Sequence, residues 1–265
     1  MDMERGFVKT FAGNIHYRAV GAGAPIVLMH INQRSSAFMV GLMEALAPRY
    51  RAIAFDHPCF GMSDHVARQL SLGDFARNAT EVLDGLGLAR ATVLGEAFSA
   101  LVAVELAARH ADRVERAVLV NCPYWEDVVS HDEGIARIKA SRPGDATGFP
   151  ALRTLDYVLE HDPEHAPLRP TQEWMDQINL AQVQAGRDRW QIMDAMSGYD
   201  VPAAMEAISR PTLLLYGDQF LYTRQLDQVR RRIPGAQHRL IADGRFEVCW
   251  EHPDSVAEAV GAFAG

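Results

Sequence analysis

The pattern of apolar and polar residues along the chain predicts alternating strands and helices. Residues 7–12 and 15–20 alternate apolar and polar positions around Gly13-Asn14, which is typical of a β-hairpin. Short apolar runs, typical of strands buried on both faces, follow at residues 25–30, 50–55, 91–94 and 117–121. Helical spacing separates these runs at residues 38–46, 71–86 and 98–109. We therefore expect a mainly parallel sheet that is covered by helices on both faces.

The strand pattern disappears between residues 122 and 210, where only helical patterns occur. It returns at residues 211–217 and 237–242, and an amphipathic helix follows at residues 253–263. A helical insert in an alternating chain is typical of a cap over the C-terminal edge of the sheet, where such folds place their sites. The sequence thus predicts a core formed by residues 1–121 and 211–265, and a helical cap formed by residues 122–210.

Composition and charge limit the kinds of molecule that we expect this protein to bind. The chain has 265 residues, of which 48% are hydrophobic and 23% charged, and its formal net charge is −8. An acidic chain has no basic surface for nucleic acid or for an anionic membrane. The apolar runs are too short to span a bilayer, and the first ten residues lack the apolar core of a signal peptide. We therefore expect a cytoplasmic protein whose partner is a small molecule.

Three cysteines are spread along the chain at positions 59, 122 and 249. They form no CxxC motif and no Cys/His cluster in sequence, so we predict neither a disulfide framework nor a metal site. No cofactor motif occurs either. His57 and Cys59 lie in the turn cluster after the strand at residues 50–55, and we expect them in a surface turn.

Five segments together resemble the α/β-hydrolase family. Residues 93–99 (VLGEAFS) lie between a strand and a helix, the place of that family's G-x-S-x-G nucleophile elbow. The other four segments are similar to the family's oxyanion loop, D-x-P-G-x-G-x-S turn, G-x-x-D motif and terminal Gly-His, and they lie at residues 30–32, 56–64, 217–220 and 244–245. Residues 30–36 resemble the haloalkane dehalogenase branch. The resemblance implies an α/β-hydrolase fold over nearly the whole chain.

The same resemblance implies a Ser-His-Asp triad, but the chain holds other residues at the three positions. Ala97 stands at the nucleophile, Phe220 at the acid and Arg245 at the histidine. The family's alternative acid position falls on Asn121. Alanine has no heteroatom, and arginine stays protonated, so neither can act as nucleophile or base. The sequence therefore predicts a degenerate triad.

Parts of the binding site are expected to remain. The resemblance implies an oxyanion hole formed by the N–H of Phe98 with that of Ile31 or Asn32. Arg245 is expected beside residue 97, and two interpretations stay open: it binds an anionic group of a ligand, or it pairs with Glu96 or Asp218. The further candidates for ligand contact are His30, Glu96 and Trp125.

The leading hypothesis is a protein that binds a small, partly apolar molecule under the cap. This molecule is expected to be an anionic or carbonyl-bearing metabolite, and the chemistry to be non-hydrolytic, in a metabolic or biosynthetic pathway. One alternative is an acyl hydrolase or acyltransferase with an inactivating Ser-to-Ala change at residue 97. Another is a ligand-binding or partner-binding protein without catalysis. The sequence leaves the oligomeric state open.

Overall fold

An eight-stranded sheet forms the centre of the computed structural model, which describes residues 2–140 and 148–265. The strands are β1 (Glu4–Thr10), β2 (Gly13–Val20), β3 (Ala24–Met29), β4 (Tyr50–Phe55), β5 (Ala91–Glu96), β6 (Val114–Val120), β7 (Thr212–Gly217) and β8 (Gln237–Ile241). They are arranged in the order β1-β2-β4-β3-β5-β6-β7-β8. Strand β2 runs antiparallel to both of its neighbours, and the pairs from β4 to β8 are parallel. The predicted hairpin and mainly parallel sheet are confirmed.

Helices follow the strands and cover the sheet. The α-helices of the described residues are α1 (Val40–Leu46), α2 (Leu72–Gly85), α3 (Phe98–Arg109), α4 (Val128–Ala140), α5 (Leu155–His161), α6 (Gln172–Ala185), α7 (Gln191–Asp194), α8 (Val201–Glu206), α9 (Leu226–Arg232), α10 (Val248–Glu251) and α11 (Pro253–Ala264). Short 3-10 helices occur at Ser36–Met39, Ala111–Arg113, Pro163–His165, Gly186–Trp190 and Leu221–Gln225.

Two apolar layers, one on each face of the sheet, hold the helices in place. Val27 and Ile53 belong to the layer that packs against α2 and α3, whereas Leu28 and Ala54 belong to the layer against α1 and α11. Successive residues of a strand point to opposite faces, so strands without polar alternation are buried on both sides. This arrangement explains why β3 and β4 read as continuous apolar runs in the sequence.

The side chains at the start of α2 cap the first turn of the helix. The Ser71 hydroxyl accepts a hydrogen bond from the N–H of Asp74, and the Asp74 carboxylate accepts one from the N–H of Ser71. This capping box satisfies backbone donors that a helix start otherwise leaves unpaired. The helix predicted at residues 71–86 is therefore confirmed, with Ser71 as its N-cap.

The strand order places a topological switch point beside β3. Strand β4 pairs with one side of β3 and β5 with the other, so the loops that leave β3 and β5 diverge at the same sheet edge. Ligands of open α/β sheets bind outside the carboxyl ends of the strands at such a point. The fold thus brings the segment after β3 next to the turn after β5.

Between β6 and β7, the described residues form helices and no strand. This segment contains α4 to α8, and it follows the predicted insert at residues 122–210. The division of the chain into core and cap stays a prediction. Within the described ranges, no helix has the length and apolar character needed to cross a membrane.

Gly217 at the end of β7 gives a test of how the C-terminal loops are placed. A Cβ at residue 217 would lie 2.3 Å from the carbonyl oxygen of Gly244. We expect Gly217→Ala to lower the free energy of unfolding by about 3 kcal/mol or more, because backbone must move. Gly73→Ala, where the nearest atom is 3.7 Å away inside α2, should instead raise it by up to about 1 kcal/mol. Urea unfolding of both variants measures the contrast; equal effects would contradict this account of close packing.

Candidate functional site

A sharp turn joins β5 to α3 at Ala97, as the sequence predicts. The backbone of Ala97 has φ 51° and ψ −120°, a conformation that costs a non-glycine residue roughly 1–3 kcal/mol. Close packing holds the turn, because a Cβ at Gly95 would lie 2.2 Å from the carbonyl oxygen of Ser99. The methyl group of Ala97 is buried. This turn has the geometry of a nucleophile elbow, and the side chain at its tip carries no reactive atom.

A buried hydrogen-bond network supports the turn from below. The Ser99 hydroxyl donates to the carbonyl of His30 at 2.5 Å and therefore accepts from Nε2 of His57 at 3.0 Å. The N–H of His57 donates to Nε2 of His30 at 3.1 Å, and Nδ1 of His30 donates to the Ile31 carbonyl at 2.8 Å. Both ring nitrogens of His30 are thus used inside the protein, and burial lowers its pKa. This arrangement favours the structural role of His30 over ligand contact.

The prediction that His57 and Cys59 lie in a surface turn is wrong, since both side chains are fully buried. The ring of His57 packs edge-on against Phe55 and Phe75. Burial holds the pKa of His57 well below its usual value, and its Nδ1 has no hydrogen-bond partner among the residues that the structure describes. The neighbouring aromatic rings explain why this turn is drawn into the core.

Two backbone donors remain free near the turn. Within the described residues, the N–H groups of Phe98 and Ile31 take part in no hydrogen bond to another protein group. Phe98 is the first residue of α3, where N–H groups have no partner inside the helix. The carbonyl of Ile31 is already occupied by the N–H of Arg34. Within the described residues, the predicted donors therefore have no acceptor in the chain itself.

Four apolar residues come together at the turn. Ile31, Ala97, Phe220 and Phe246 form one buried cluster. The ring centroids of Phe220 and Phe246 are 5.4 Å apart, and Tyr222 lies 4.9 Å from Phe220. A site made of these side chains has no group that ionises at neutral pH. We call this group the elbow cluster.

The predicted position of Arg245 is wrong. Its side chain is half-exposed, and its guanidinium donates to the carbonyl of Pro163 at 3.4 Å. It lines a surface pocket together with Glu164 and Asp218. The next residue, Phe246, is the one that enters the elbow cluster. The reason is local: the apolar ring of Phe246 is buried in the cluster, whereas the charged Arg245 side chain stays partly exposed to solvent.

Asn121 fixes the loop in this position. Its amide nitrogen donates to the carbonyls of Arg245 and Phe246 at 2.7 and 3.0 Å, and its amide oxygen accepts the N–H of Gly217 at 3.0 Å. Asn121 is fully buried with φ 47°. The alternative acid position of the family thus holds a side chain whose polar atoms tie β6, β7 and the loop after β8 together.

Glu96 is not the partner of Arg245, contrary to one of the two interpretations of the sequence. Its carboxylate accepts the N–H of Cys249 at 2.9 Å and is buried on the face of α10 and α11. Burial and, to a smaller extent, the nearby carboxylates of Glu247 and Glu251 raise the pKa of Glu96 to about 8, although the hydrogen bond from Cys249 opposes this shift. Within the described residues, the guanidinium of Arg245 donates to the Pro163 carbonyl and forms no ion pair with Asp218. Glu96 is therefore a neutral, structural acid at pH 7.

Trp125 packs beside the turn, and its contact with a ligand stays a prediction. Its indole stacks on Phe98 with 6.3 Å between ring centroids and 13° between planes, and Tyr222 lies 6.2 Å away. On the other side of Trp125 lies His131 of α4, with 4.6 Å between the ring centroids. His131 is fully buried, and within the described part of the chain its two ring nitrogens have no hydrogen-bond partner, although a carboxylate oxygen of Asp132 is 4.0 Å from Nδ1. Burial lowers the pKa of His131.

Sequence reasoning missed two residues of this region, Phe246 and His131. For Phe246, the available signal was an apolar residue directly after Arg245. For His131 the sequence held no signal, because the helix around it has a mixed pattern of apolar and polar residues. Beside the elbow cluster, Oδ1 of Asn32 and Nε2 of Gln33 are buried and have no hydrogen-bond partner in residues 2–140 and 148–265. The region thus combines aromatic walls with a few unsatisfied polar atoms, which is the composition of a small-molecule site.

The fold and this turn define an α/β hydrolase. The family model for the alpha/beta hydrolase fold matches residues 24–253, and the chain belongs to that family.

Several curated relatives match nearly the whole chain. Haloalkane dehalogenase 2 of Mycobacterium tuberculosis is 27% identical over 94% of this chain and 90% of its own length. A putative carbamate hydrolase RutD of Caulobacter segnis is 33% identical over 98% of both chains. The chain is therefore similar to proteins with different named activities.

Solved structures agree on the fold. The enol-lactonase of Burkholderia xenovorans LB400 superposes with a TM-score of 0.75 at 21% identity, over 98% of this chain and 99% of the other. An E-2-(acetamidomethylene)succinate hydrolase gives a TM-score of 0.78 at 18% identity, over 99% of both chains. At these identities the comparison supports the fold alone.

Glu96 makes the stability of the protein depend on pH in a defined direction. An unfolded glutamate ionises near 4.5, whereas folded Glu96 keeps its proton up to about pH 8. Its contribution to stability is complete below the unfolded pKa and is lost as pH rises towards the folded pKa. We expect the stability of Glu96→Gln relative to the wild type to rise by about 1.4 kcal/mol per pH unit across this window. Chemical unfolding at several pH values measures it, with exposed Glu44→Gln as control; a pH-independent difference would contradict the buried neutral acid.

Proposed function

We propose that this chain binds a small, mostly apolar molecule with a carbonyl oxygen at the elbow cluster, and that it does not hydrolyse it through a triad. The main support for this proposal is that Ala97, Phe220 and Phe246 share one apolar cluster. In the family, three interacting groups at the nucleophile, acid and histidine positions perform the reaction. Here the corresponding side chains have no nucleophile, no base and no acid.

The remaining polar features favour a neutral carbonyl over an anion. The N–H groups of Phe98 and Ile31 are free donors of the kind that bind a carbonyl or oxyanion. Binding of an anionic ligand depended on Arg245 as its partner, but the guanidinium of Arg245 lies against the Pro163 carbonyl instead. Relatives named for carbamate and lactone substrates also handle molecules with a carbonyl group. Aromatic rings of Trp125 and Phe98 supply the apolar wall.

A second candidate, a non-hydrolytic enzyme acting on the same ligand, is favoured by His131. A buried imidazole with two unpartnered nitrogens is held neutral by burial, so it can both donate and accept a proton. It contacts Trp125, which stacks on Phe98 beside the turn. His131→Gln should then abolish turnover of the substrate and retain binding. A binding protein without catalysis would show no turnover in either form.

The interpretation as a hydrolase with one inactivating change at residue 97 has less support. Restoring serine there would leave Phe220 and Phe246 in place of acid and base. A serine without a base stays protonated and is a poor nucleophile. The single change would therefore not rebuild the reaction.

Three variants test both the missing triad and the position of its histidine. We expect Ala97→Ser to leave p-nitrophenyl acetate hydrolysis at background. The triple change Ala97→Ser, Phe220→Asp and Phe246→His should raise it and allow labelling by a fluorophosphonate. The matched triple variant with Arg245→His in place of Phe246→His should stay inactive, because that side chain points away. Circular dichroism checks the fold. Labelling of the wild type at residue 97, or activity of Ala97→Ser alone, would overturn the proposal.

Ligand preference is tested with two probes of the same shape. Acetophenone carries a carbonyl, and α-methylstyrene replaces that oxygen with a CH₂ group. We expect acetophenone to bind about five- to tenfold more tightly, the usual gain from a net hydrogen bond, in calorimetric titration. Phe246→Ala should change the affinity, and neighbouring Arg245→Ala should not. Equal affinity for both probes would show that the two N–H groups bind no carbonyl.

A further inference from the structure

The fold brings together three metal-binding side chains that are far apart in sequence. The ligand atoms of Cys59, His65 and Asp188 all lie within 4.8 Å of one another. Cys59 and His65 belong to the loop after β4, and Asp188 belongs to the 3-10 helix Gly186–Trp190. The sequence shows no such cluster, since 123 positions separate His65 from Asp188.

We propose that Cys59, His65 and Asp188 bind a divalent transition metal ion of the zinc type. The proposal is independent of the function proposed for the elbow cluster. A thiolate, an imidazole and a carboxylate are ligands that Zn²⁺ accepts together, whereas Mg²⁺ and Ca²⁺ prefer oxygen alone. Because His65 and Asp188 are partly exposed, a fourth position remains for water.

The hydrogen bonds of His65 support this assignment. Its Nδ1 lies 2.6 Å from a carboxylate oxygen of Asp188, and its Nε2 lies 3.2 Å from the carbonyl oxygen of Gln184. Both partners only accept, but a neutral imidazole has one N–H. A metal ion on Nδ1 satisfies both acceptors, with Nε2–H donating to the Gln184 carbonyl, and an imidazolium paired with Asp188 is the alternative that the test must separate from it. Metal-bound histidines usually donate their other N–H to a carbonyl in this way.

Cys59 has a conformation that its side chain does not explain. It has φ 71°, and it stands where the resembling D-x-P-G-x-G-x-S turn has its first glycine. A cysteine in this region costs about 1–2 kcal/mol relative to its usual conformation. Its sulfur accepts the N–H of Val66 at 3.4 Å, a bond that also stabilises a thiolate.

Charge balance agrees with a divalent ion. Metal binding forms a sulfur–metal bond and releases the thiol proton to solvent. The thiolate and the Asp188 carboxylate then balance the two positive charges. The bound ion would join the loop after β4 to the predicted cap.

Cobalt provides a direct test, because a thiolate bound to Co²⁺ gives a charge-transfer band in the near ultraviolet. We expect the chain, dialysed against EDTA, to bind one Co²⁺ with this band, and Zn²⁺ to displace it. Cys59→Ser should abolish the band, and Asp188→Asn should weaken Co²⁺ binding at least about tenfold. Cys122→Ser, at another buried cysteine, and His238→Ala, at an exposed histidine, are the matched controls.

Thermal unfolding with and without Zn²⁺ separates the metal site from a simple ion pair. We expect Zn²⁺ to raise the melting temperature of the wild type and of both controls, because it binds the folded state. Asp188→Asn changes a partly exposed side chain, so it keeps the test valid if Cys59→Ser does not fold. A Co²⁺ spectrum without the sulfur band, or equal effects of Zn²⁺ on the wild type and Asp188→Asn, would overturn the proposal.

Discussion

The close contact between β5 and the first turn of α3 determines the geometry of the candidate site. A Cβ at Gly95 would overlap the carbonyl of Ser99, so only glycine lets the strand approach the helix this closely. The chain must then turn within one residue, and Ala97 takes an unfavourable backbone conformation. As a result, the N–H of Phe98 is left at the helix start without a partner. The turn keeps the donor geometry of a nucleophile elbow although its side chain is a methyl group.

The region around this turn separates structural polar groups from the apolar site. Below it, His30, His57 and Ser99 bond mainly to one another and to backbone, and all three are fully buried. Above it, the elbow cluster carries no titratable side chain. Polar residues near the turn therefore support its shape, since buried polar groups persist when they are hydrogen-bonded.

The sequence predicted the elements well, because buried strands and amphipathic helices leave strong periodic patterns. It also placed Ala97 at the strand-to-helix turn. It failed at Arg245, because a shift of one residue in a loop exchanges which side chain is buried, and no periodicity fixes a loop. It also failed for the partners of Glu96. The contact of His65 with Asp188 depends on tertiary packing between distant segments, which one sequence does not encode in a local pattern.

The distribution of buried charge agrees with the proposal of a neutral ligand. Three carboxylates lie near one another behind the turn: Glu247 pairs with Arg34 at 2.5 Å and accepts the indole N–H of Trp174, whereas Glu96 and Glu251 have raised pKa values. Arg34 is thus already neutralised, and the guanidinium of Arg245 lies against the Pro163 carbonyl. A ligand anion at the elbow cluster would gain no uncompensated cation there and would lose its hydration. A carbonyl oxygen, by contrast, needs only the two free N–H groups, and its apolar remainder gains contact with the aromatic rings.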